Sequence, residues 1–326
     1  MKEIFVKNLR NYLEREISEV FYLKDVSYSL SDGNKWQDLL LTDVSGRAIG
    51  KCWSEYIQEK HADYQGKVVR VTGKVELFRD MYCLKVVDVQ LAAENEFNMS
   101  DLRLELSHEE EIGLINRLNE LILSVKNEQY RSLLCSIFTP NKIKKFMSIP
   151  ASKKFHHTYY GGWLKHTIEV AELSLAAVKL CAQGPVDIVG VDVDLIITGA
   201  LLHDVGNISS FKPAIEPSLT LRGSLVGCVH DTAIFISCMN NAIQDEKQKV
   251  PDLTELLHIV VSAHGKEVKP MTKEAVIVYQ ADSFSTNFNA VDTLFYDFDK
   301  RHPEEVGKGK VYSSFFETDM MRFNGR

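Results

Sequence analysis

His203-Asp204 places two strong metal ligands at the end of an apolar run, Leu195-Ile196-Ile197-Thr198-Gly199-Ala200-Leu201-Leu202, with Val205-Gly206 following. An imidazole beside a carboxylate inside such a run rarely serves packing alone. The run predicts a hydrophobic helix, on which adjacent residues point about 100° apart. Both side chains therefore reach one cation only if it sits against the helix end. The plainer alternative is a helix C-terminus with a dipole-favoured histidine and a solvated aspartate. Further ligands of suitable type stand at His166, 37 residues earlier, and Asp282, 78 residues after Asp204. Two imidazoles and two carboxylates make an N₂O₂ set suited to Mn²⁺, Fe²⁺, Zn²⁺ or Co²⁺. Seven of the ten histidines lie between His156 and His264, so metal or acid–base chemistry belongs to the second half of the chain.

Composition narrows the class. With 326 residues, 45% hydrophobic and 25% charged, the chain has material for two domains, each with its own core. A formal charge of −7 argues against coating nucleic acid by bulk electrostatics but leaves room for a local basic groove. Six cysteines are scattered without a CxxC pair, and no signal peptide is apparent; both point to a reduced, cytoplasmic protein. No apolar run approaches the roughly 20 residues of a membrane span, so no membrane partner is expected.

The elements that must position these residues change type along the chain. The first 20 residues read as a short amphipathic helical lead-in. From Phe21 to about Ala93, five short strands are separated by Gly, Asn and Asp turns, such as Ser31-Asp32-Gly33-Asn34 and Ser45-Gly46. That spacing predicts a small closed β-barrel, most economically an OB-fold, with an extra helix in the gap from Ser54 to Gly66. Ser107-His108-Glu109-Glu110 then has capping-box spacing ahead of Ile112, Ile115, Leu118, Leu121, Ile122 and Val125, one face of a helix. Helical periods continue through Leu164–Ala182, Val193–His203, Leu225–Ala242, Leu253–His264 and Thr272–Asn287. The expected fold class is multidomain α+β, an N-terminal OB-like β-barrel followed by an all-α helical domain. The expected boundaries are 1–95 for the barrel, 96–150 for a linker and helical lead-in, 151–300 for the helical domain and 301–326 for a tail without clear period.

His156-His157-Thr158-Tyr159-Tyr160-Gly161-Gly162-Trp163-Leu164-Lys165-His166-Thr167, followed by His203-Asp204-Val205-Gly206, resembles an HD-domain phosphohydrolase. With the barrel ahead of it, the chain more narrowly resembles the YhaM family of bacterial 3′–5′ exoribonucleases. The likeness runs from the strand near Phe21 to the helix ending near Asn289. It includes Thr220-Leu221-Arg222-Gly223, Leu225-Val226-Gly227 and His264-Gly265-Lys266. The resemblance implies metal-assisted hydrolysis of single-stranded RNA (single-stranded DNA being the alternative substrate) from the 3′ end to nucleoside 5′-monophosphates. Mn²⁺ is the implied cofactor, with Fe²⁺, Co²⁺, Zn²⁺ or Mg²⁺ as alternatives, and a homo-oligomer is the implied assembly. His166, His203, Asp204 and Asp282 would hold the ion, Asp204 and His203 serving the reaction directly. His157 is a candidate phosphate donor or proton carrier. Lys153 and Lys154 are candidate contacts for the nucleic-acid backbone.

Three positions depart from the family pattern. Asn207 stands where a lysine is expected, Cys228 where a histidine usually follows the Leu-x-Gly run, and Ala263 where a histidine pair usually precedes the glycine-lysine. His264, His230 and Cys228 remain candidate ligands for a second ion. The departures keep two alternatives open: a one-metal phosphohydrolase of nucleotides or short oligonucleotides, and a nucleic-acid-binding regulatory protein with a degenerate HD domain. In the barrel, aromatics interleave with lysines and arginines, while residues 21–90 carry ten acids and ten bases. Stacking of bases on exposed aromatics would supply affinity there, and the balanced charge counts against a strongly basic surface. Trp53, Phe78 and Arg79 are the expected contacts, Phe78-Arg79-Asp80-Met81-Tyr82 reading as a hairpin tip. His61, His108 and His302 read as surface residues.

Overall fold

Val69, Val71 and Val75 alternate with Val68, Arg70, Thr72 and Lys74, and the structure buries the first set while leaving the second partly exposed. This two-residue period builds the first of two units in the computed structural model, which describes every residue except 1, 32–33, 79–80, 182–189, 243–251, 267, 303–305, 308 and 324–326. One unit comprises Met1–Leu104, Asp297–Gly309 and Arg322–Arg326; the other comprises Glu105–Tyr296 and Lys310–Met321.

The first unit is a closed barrel of β1 (Glu16–Ser31), β2 (Asn34–Asp43), β3 (Gly46–Trp53), β4 (Lys67–Phe78) and β5 (Met81–Leu91), in the order β1-β2-β3-β5-β4. β3 and β5 pair in parallel, and β4 closes antiparallel onto β1. A 3₁₀ turn at Ser54–Tyr56 and the short helix α1 (Lys60–Asp63) fill the expected gap between β3 and β4. Phe21, Leu23, Leu39, Leu41, Val71, Leu84 and Val86 form the core. The ladder shifts register between Thr72 and Gly73, where a Cβ would lie 2.5 Å from the Lys85 carbonyl oxygen. Only glycine lets β5 approach there.

Two expectations for this half change. The N-terminal lead-in is a 3₁₀ segment, Val6–Tyr12, and β1 already begins at Glu16. Leu9 is drawn into the barrel core, which suits a short plug better than a free amphipathic helix. His61, expected at the surface, is fully buried, its Nδ1 2.7 Å from Gln37 Oε1. Burial lowers its pKa from the usual 6.5. A histidine held neutral in the fold contributes stability that is complete above pH 6.5 and is lost as pH falls below it, because the unfolded chain then takes the proton first. Lowering pH from 7 toward 5 should therefore destabilise the barrel, by at most about 1.4 kcal/mol per pH unit from this group. Urea midpoints followed by Trp36 and Trp53 fluorescence should show a shallower pH slope in His61→Gln. An unchanged slope would remove His61 as its source.

In the second unit, α2 (His108–Ser124) starts with the expected capping box. Ser107 Oγ accepts from the Glu110 amide at 3.3 Å, and Glu110 Oε2 accepts from the Ser107 amide at 2.9 Å. It leads to α3 (Glu128–Ile137), α4 (Pro140–Phe146) and α5 (Gly162–Cys181). Next come α6 (Val193–Leu202) and α7 (Asn207–Ser210), the two-residue strands β6 (Phe211–Lys212) and β7 (Ser218–Leu219), and then α8 (Leu221–Leu225). α9 (Cys228–Ala242), α10 (Thr254–Ser262) and α11 (Lys273–Arg301, assigned to this unit as far as Tyr296) follow, before a hairpin of β8 (Lys310–Ser313) and β9 (Thr318–Met321). α6 is buried from Leu195 through Leu202, as its uniformly apolar sequence requires. The segment expected to be an aperiodic tail thus carries a β-hairpin; its strands are too short to establish a two-residue period. α11 runs past the expected end at Asn287 to Arg301, because Ala290 and Phe295 stay buried and extend its apolar face.

Candidate active site

α6 ends at Leu202, and the chain turns through His203-Asp204 into α7. This places both side chains at the helix end, as their angular separation demands. The His203 ring packs against its own helix, Nδ1 2.7 Å from the Ala200 carbonyl oxygen. A carbonyl only accepts, so Nδ1 carries the hydrogen and Nε2 keeps a free lone pair. His166, on α5, is fixed by a longer relay: its Nδ1 lies 3.0 Å from Ser285 Oγ, whose hydroxyl donates to Glu169 Oε2 at 2.9 Å. Because the serine proton is committed to the carboxylate, Nδ1–H donates to the serine and Nε2 again faces inward.

Those two Nε2 atoms lie 3.3 Å apart. Asp282 Oδ1, from α11, is 3.1 Å from His166 Nε2 and 3.7 Å from His203 Nε2. Neighbouring ligands bound to one ion at about 2.1 Å sit roughly 3.0–3.5 Å apart. Two imidazole lone pairs aimed at one another beside a carboxylate therefore fit a divalent cation in donor type, protonation and spacing. Asp204 Oδ2 stands 3.9 Å from His203 Nε2, on the rim of this group. All four residues are buried. Burial alone would raise the Asp204 pKa, yet the neighbouring His264 holds it below the usual carboxylate range. Asp282 is likewise held low despite its burial by hydrogen bonds with His166 and His264. Burial lowers the His203 pKa and keeps its ring neutral, the form a ligand needs.

The other predicted residues separate. His264 bridges the carboxylates, Nε2 3.1 Å from Asp204 Oδ1 and Nδ1 3.1 Å from Asp282 Oδ2. Cys228 donates to Asp204 Oδ1 at 3.3 Å, and its burial pushes the thiol pKa well above its usual value, so it stands as a protonated donor. His230 is exposed on α9, two residues and about 200° of helix from Cys228. Asn207, in the expected lysine position, donates from Nδ2 to Asp204 Oδ2 and to the Ala151 carbonyl, each at 3.2 Å. It ties the carboxylate to the loop that carries the histidine pair. Trp163 Nε1 donates to the Asp204 carbonyl at 2.7 Å while its ring stacks on Phe146, centroids 4.1 Å apart.

His157 differs from expectation in its partners. Nε2 pairs with Glu169 Oε2 at 3.0 Å, Nδ1 lies 3.0 Å from Tyr159 Oη, and the amide donates to Asn289 Oδ1 at 2.5 Å. Both ring nitrogens are engaged, so His157 braces Glu169 and through it the Ser285–His166 relay. His156 is what sequence reasoning missed. Its ring lies 4.9 Å from that of His166, and its buried Nδ1 has no partner among the described residues. Adjacent histidines both approach His166 because His157 adopts φ +43°, a left-handed conformation that swings the chain between them. Burial, with His166 adding to it, lowers the His156 pKa to about 3. Glu169 and Ser285 were also missed; Glu169 follows His166 by three residues on one helix face, a signal that spacing alone could have offered.

Removing the relay hydroxyl gives a graded test. Ser285→Ala should weaken divalent-ion affinity about 10–100-fold, the usual effect of losing a group that orients a ligand. Calorimetric titration with Mn²⁺ measures it, and unchanged affinity would show that the relay does not orient His166.

In the barrel, Trp53 is half-buried, its ring 5.6 Å from that of Trp36. Lys51 Nζ lies 5.1 Å from the Trp36 ring and 4.5 Å from Phe78, while pairing with Asp38 at 2.9 Å. Trp53 and Phe78 therefore belong to one aromatic cluster around a lysine on strands β2, β3 and β4. Arg79 lies outside the described residues. Lys153 and Lys154 are exposed on the loop ahead of His156.

The HD-domain family model matches residues 163–287, and a model described as a putative helicase matches residues 104–184. Among curated relatives, the 3′–5′ exoribonuclease YhaM of Geobacillus sp. (strain WCH70) is 26% identical over 88% of this chain and 87% of its own length. That of Oceanobacillus iheyensis is 24% identical over 90% of this chain and 88% of its own. The Bacillus velezensis protein of the same name is 25% identical over 85% and 87%. Of solved structures, an aspartyl tRNA synthetase from Entamoeba histolytica covers 55% of this chain and 38% of its own at 14% identity, with a TM-score of 0.23, too low to bear on the fold. Barrel, helical unit, HD pair and near full-length likeness to three such relatives converge: the chain carries an HD domain and is similar along most of its length to the YhaM 3′–5′ exoribonucleases.

Proposed function

We propose that this protein is a metal-dependent exoribonuclease that degrades single-stranded RNA from the 3′ end to nucleoside 5′-monophosphates. The observation that carries this reading is the convergence of His166 Nε2, His203 Nε2 and an Asp282 carboxylate oxygen within 4.8 Å of one another, both rings presenting lone pairs. His166, His203, Asp204 and Asp282 would hold the ion, and the likeness to the YhaM proteins favours Mn²⁺. When bound, a divalent ion lowers the pKa of water and offsets negative charge developing on the phosphoryl oxygens. Asp204 and Asp282 are held ionised for this role, His264 fixes the distance between them, and Asn207 and Cys228 orient Asp204. Lys153 and Lys154 would meet the RNA backbone as point charges, and Trp53 and Phe78 of the barrel would offer stacking faces. Residues 1–95 would thus gather RNA and residues 151–300 hydrolyse it, with 96–150 between them. RNA labelled internally with ³²P and digested with Mn²⁺ should yield only nucleoside 5′-monophosphates on thin-layer chromatography. Nucleoside 3′-monophosphates, or internal fragments as first products, would contradict the proposal.

A further inference from the structure

Three aromatic rings lie in series from the loop that carries His156, and nothing in the metal chemistry accounts for them. Phe155 directly precedes His156, so their Cα atoms are about 3.8 Å apart, and the His156 ring in turn lies 4.9 Å from that of His166. Phe155 is 39% exposed. Behind it, Phe315 from the turn of the C-terminal hairpin packs at 4.9 Å and 44°, and Phe316 packs edge-on to Phe315, also at 4.9 Å. The loop holding Phe155 is well pinned. Ser152 Oγ accepts from the amides of Phe155 and His156 at 3.1 and 3.0 Å and donates to the His156 carbonyl at 2.9 Å. The Ala151 amide donates to the His157 carbonyl at 3.1 Å. A solvent-facing phenylalanine on a rigid loop, buttressed from behind, is a poor use of apolar surface unless something covers it.

We propose that Phe155 is a base-stacking platform for the 3′-terminal nucleotide of single-stranded RNA, with Phe315 and the β8–β9 hairpin as its buttress. Three features favour a nucleobase as occupant. Phe155 directly precedes His156, whose ring packs 4.9 Å from the ligand His166, so the two share one short loop. Exposed Lys153 and Lys154 immediately precede it and would meet the phosphates. The exposed face is flat and lacks hydrogen-bonding groups, which suits every base equally, as removal of successive nucleotides of any sequence requires. Phe155 and Phe315 already touch, so the base stacks on the outer face of Phe155 rather than slipping between the two. Phe315 acts as a positioning residue. The inference rests on the exoribonuclease reading for the identity of the ligand, but its test is separable from that reading.

The test uses full-length protein carrying Asp204→Asn, which blocks turnover, and fluorescence anisotropy with a 5′-labelled single-stranded oligoribonucleotide. Phe155→Ala should weaken binding about tenfold or more, an ordinary loss for one stacked base. Phe155→Leu, which preserves the apolar contact with Phe315 but has no aromatic face, should weaken binding as much with an unchanged melting temperature. Phe155→Trp should restore it, and Phe315→Ala should produce a smaller loss. With the 3′-terminal base removed (an abasic end), the Phe155 variants and their parent should bind equally. Equal binding of the intact oligoribonucleotide by parent, Phe155→Ala and Phe155→Leu would overturn the platform, even if the wild-type chain degrades that RNA. Failure of the wild-type chain to degrade RNA, with the stacking losses present, would instead remove the exoribonuclease reading and leave a base-binding platform in place.

Discussion

Replacing Asp204 by alanine is expected to lower RNA hydrolysis by at least about a thousandfold while the protein stays folded. The size follows from the ion's role: charge stabilisation at a phosphoryl group is worth several kcal/mol, and each 1.4 kcal/mol or so is tenfold in rate. The carboxylate also has three other partners, so its loss would be felt locally. His264 would keep only Asp282, and the Asn207 amide and Cys228 thiol would each lose an acceptor. Asp204→Asn preserves shape and one acceptor oxygen but removes the charge, so it should be nearly as inactive and closer to wild type in melting temperature. Steady-state hydrolysis, Mn²⁺ titration and thermal melts of the two variants separate charge from packing. Activity within tenfold of wild type in Asp204→Ala would exclude Asp204 as a ligand.

The largest structural effect is expected at Gly162, the first residue of α5. A Cβ there would lie 2.2 Å from the His157 carbonyl oxygen and 2.9 Å from its carbon. Both are backbone atoms, and that carbonyl already accepts from the Ala151 amide. The clash cannot be relieved by a rotamer change; either α5 shifts or the 151–157 loop does. Gly162→Ala should cost about 3 kcal/mol, the upper end for overpacking a tight site. It should also weaken Mn²⁺ binding, because His166 lies one turn along the same helix. Gly113, with nothing within 4 Å of its Cβ position on α2, is the control. Gly113→Ala should stabilise the protein by about 0.5–1 kcal/mol. Chemical denaturation of both variants decides the matter; a neutral Gly162→Ala would mean that the loop yields freely.

Part of the candidate site is legible in one dimension because two of its residues follow directly on a helix end. His203-Asp204 closes an apolar run, and the distant His166 and Asp282 lie in helical periods that must converge on it. The barrel is legible for a similar reason, its two-residue alternation and glycine turns having few other solutions. What escapes is whatever depends on one backbone angle or one long-range neighbour. Two adjacent histidines would ordinarily diverge, but the positive φ of His157 brings both rings beside His166. His61 looks like a surface residue in a polar stretch, yet α1 turns it onto Gln37 inside the barrel. Ser285 gives no signal until Glu169 is known to sit beside it. The C-terminal hairpin escapes because two strands of four residues are too short to show a period. The three departures from the family pattern also take on definite positions. Asn207 and Cys228 each donate to Asp204, whereas Ala263 is buried and apolar, and His264 beside it joins the two carboxylates.

The most direct test is a denaturing-gel time course on 5′-labelled single-stranded RNA with Mn²⁺, comparing wild type with Asp204→Ala. A ladder shortening steadily from the 3′ end is expected in the wild type, with full-length RNA throughout in the variant. Intact RNA in both lanes, from folded wild-type protein shown by titration to have bound Mn²⁺, would contradict the exoribonuclease reading.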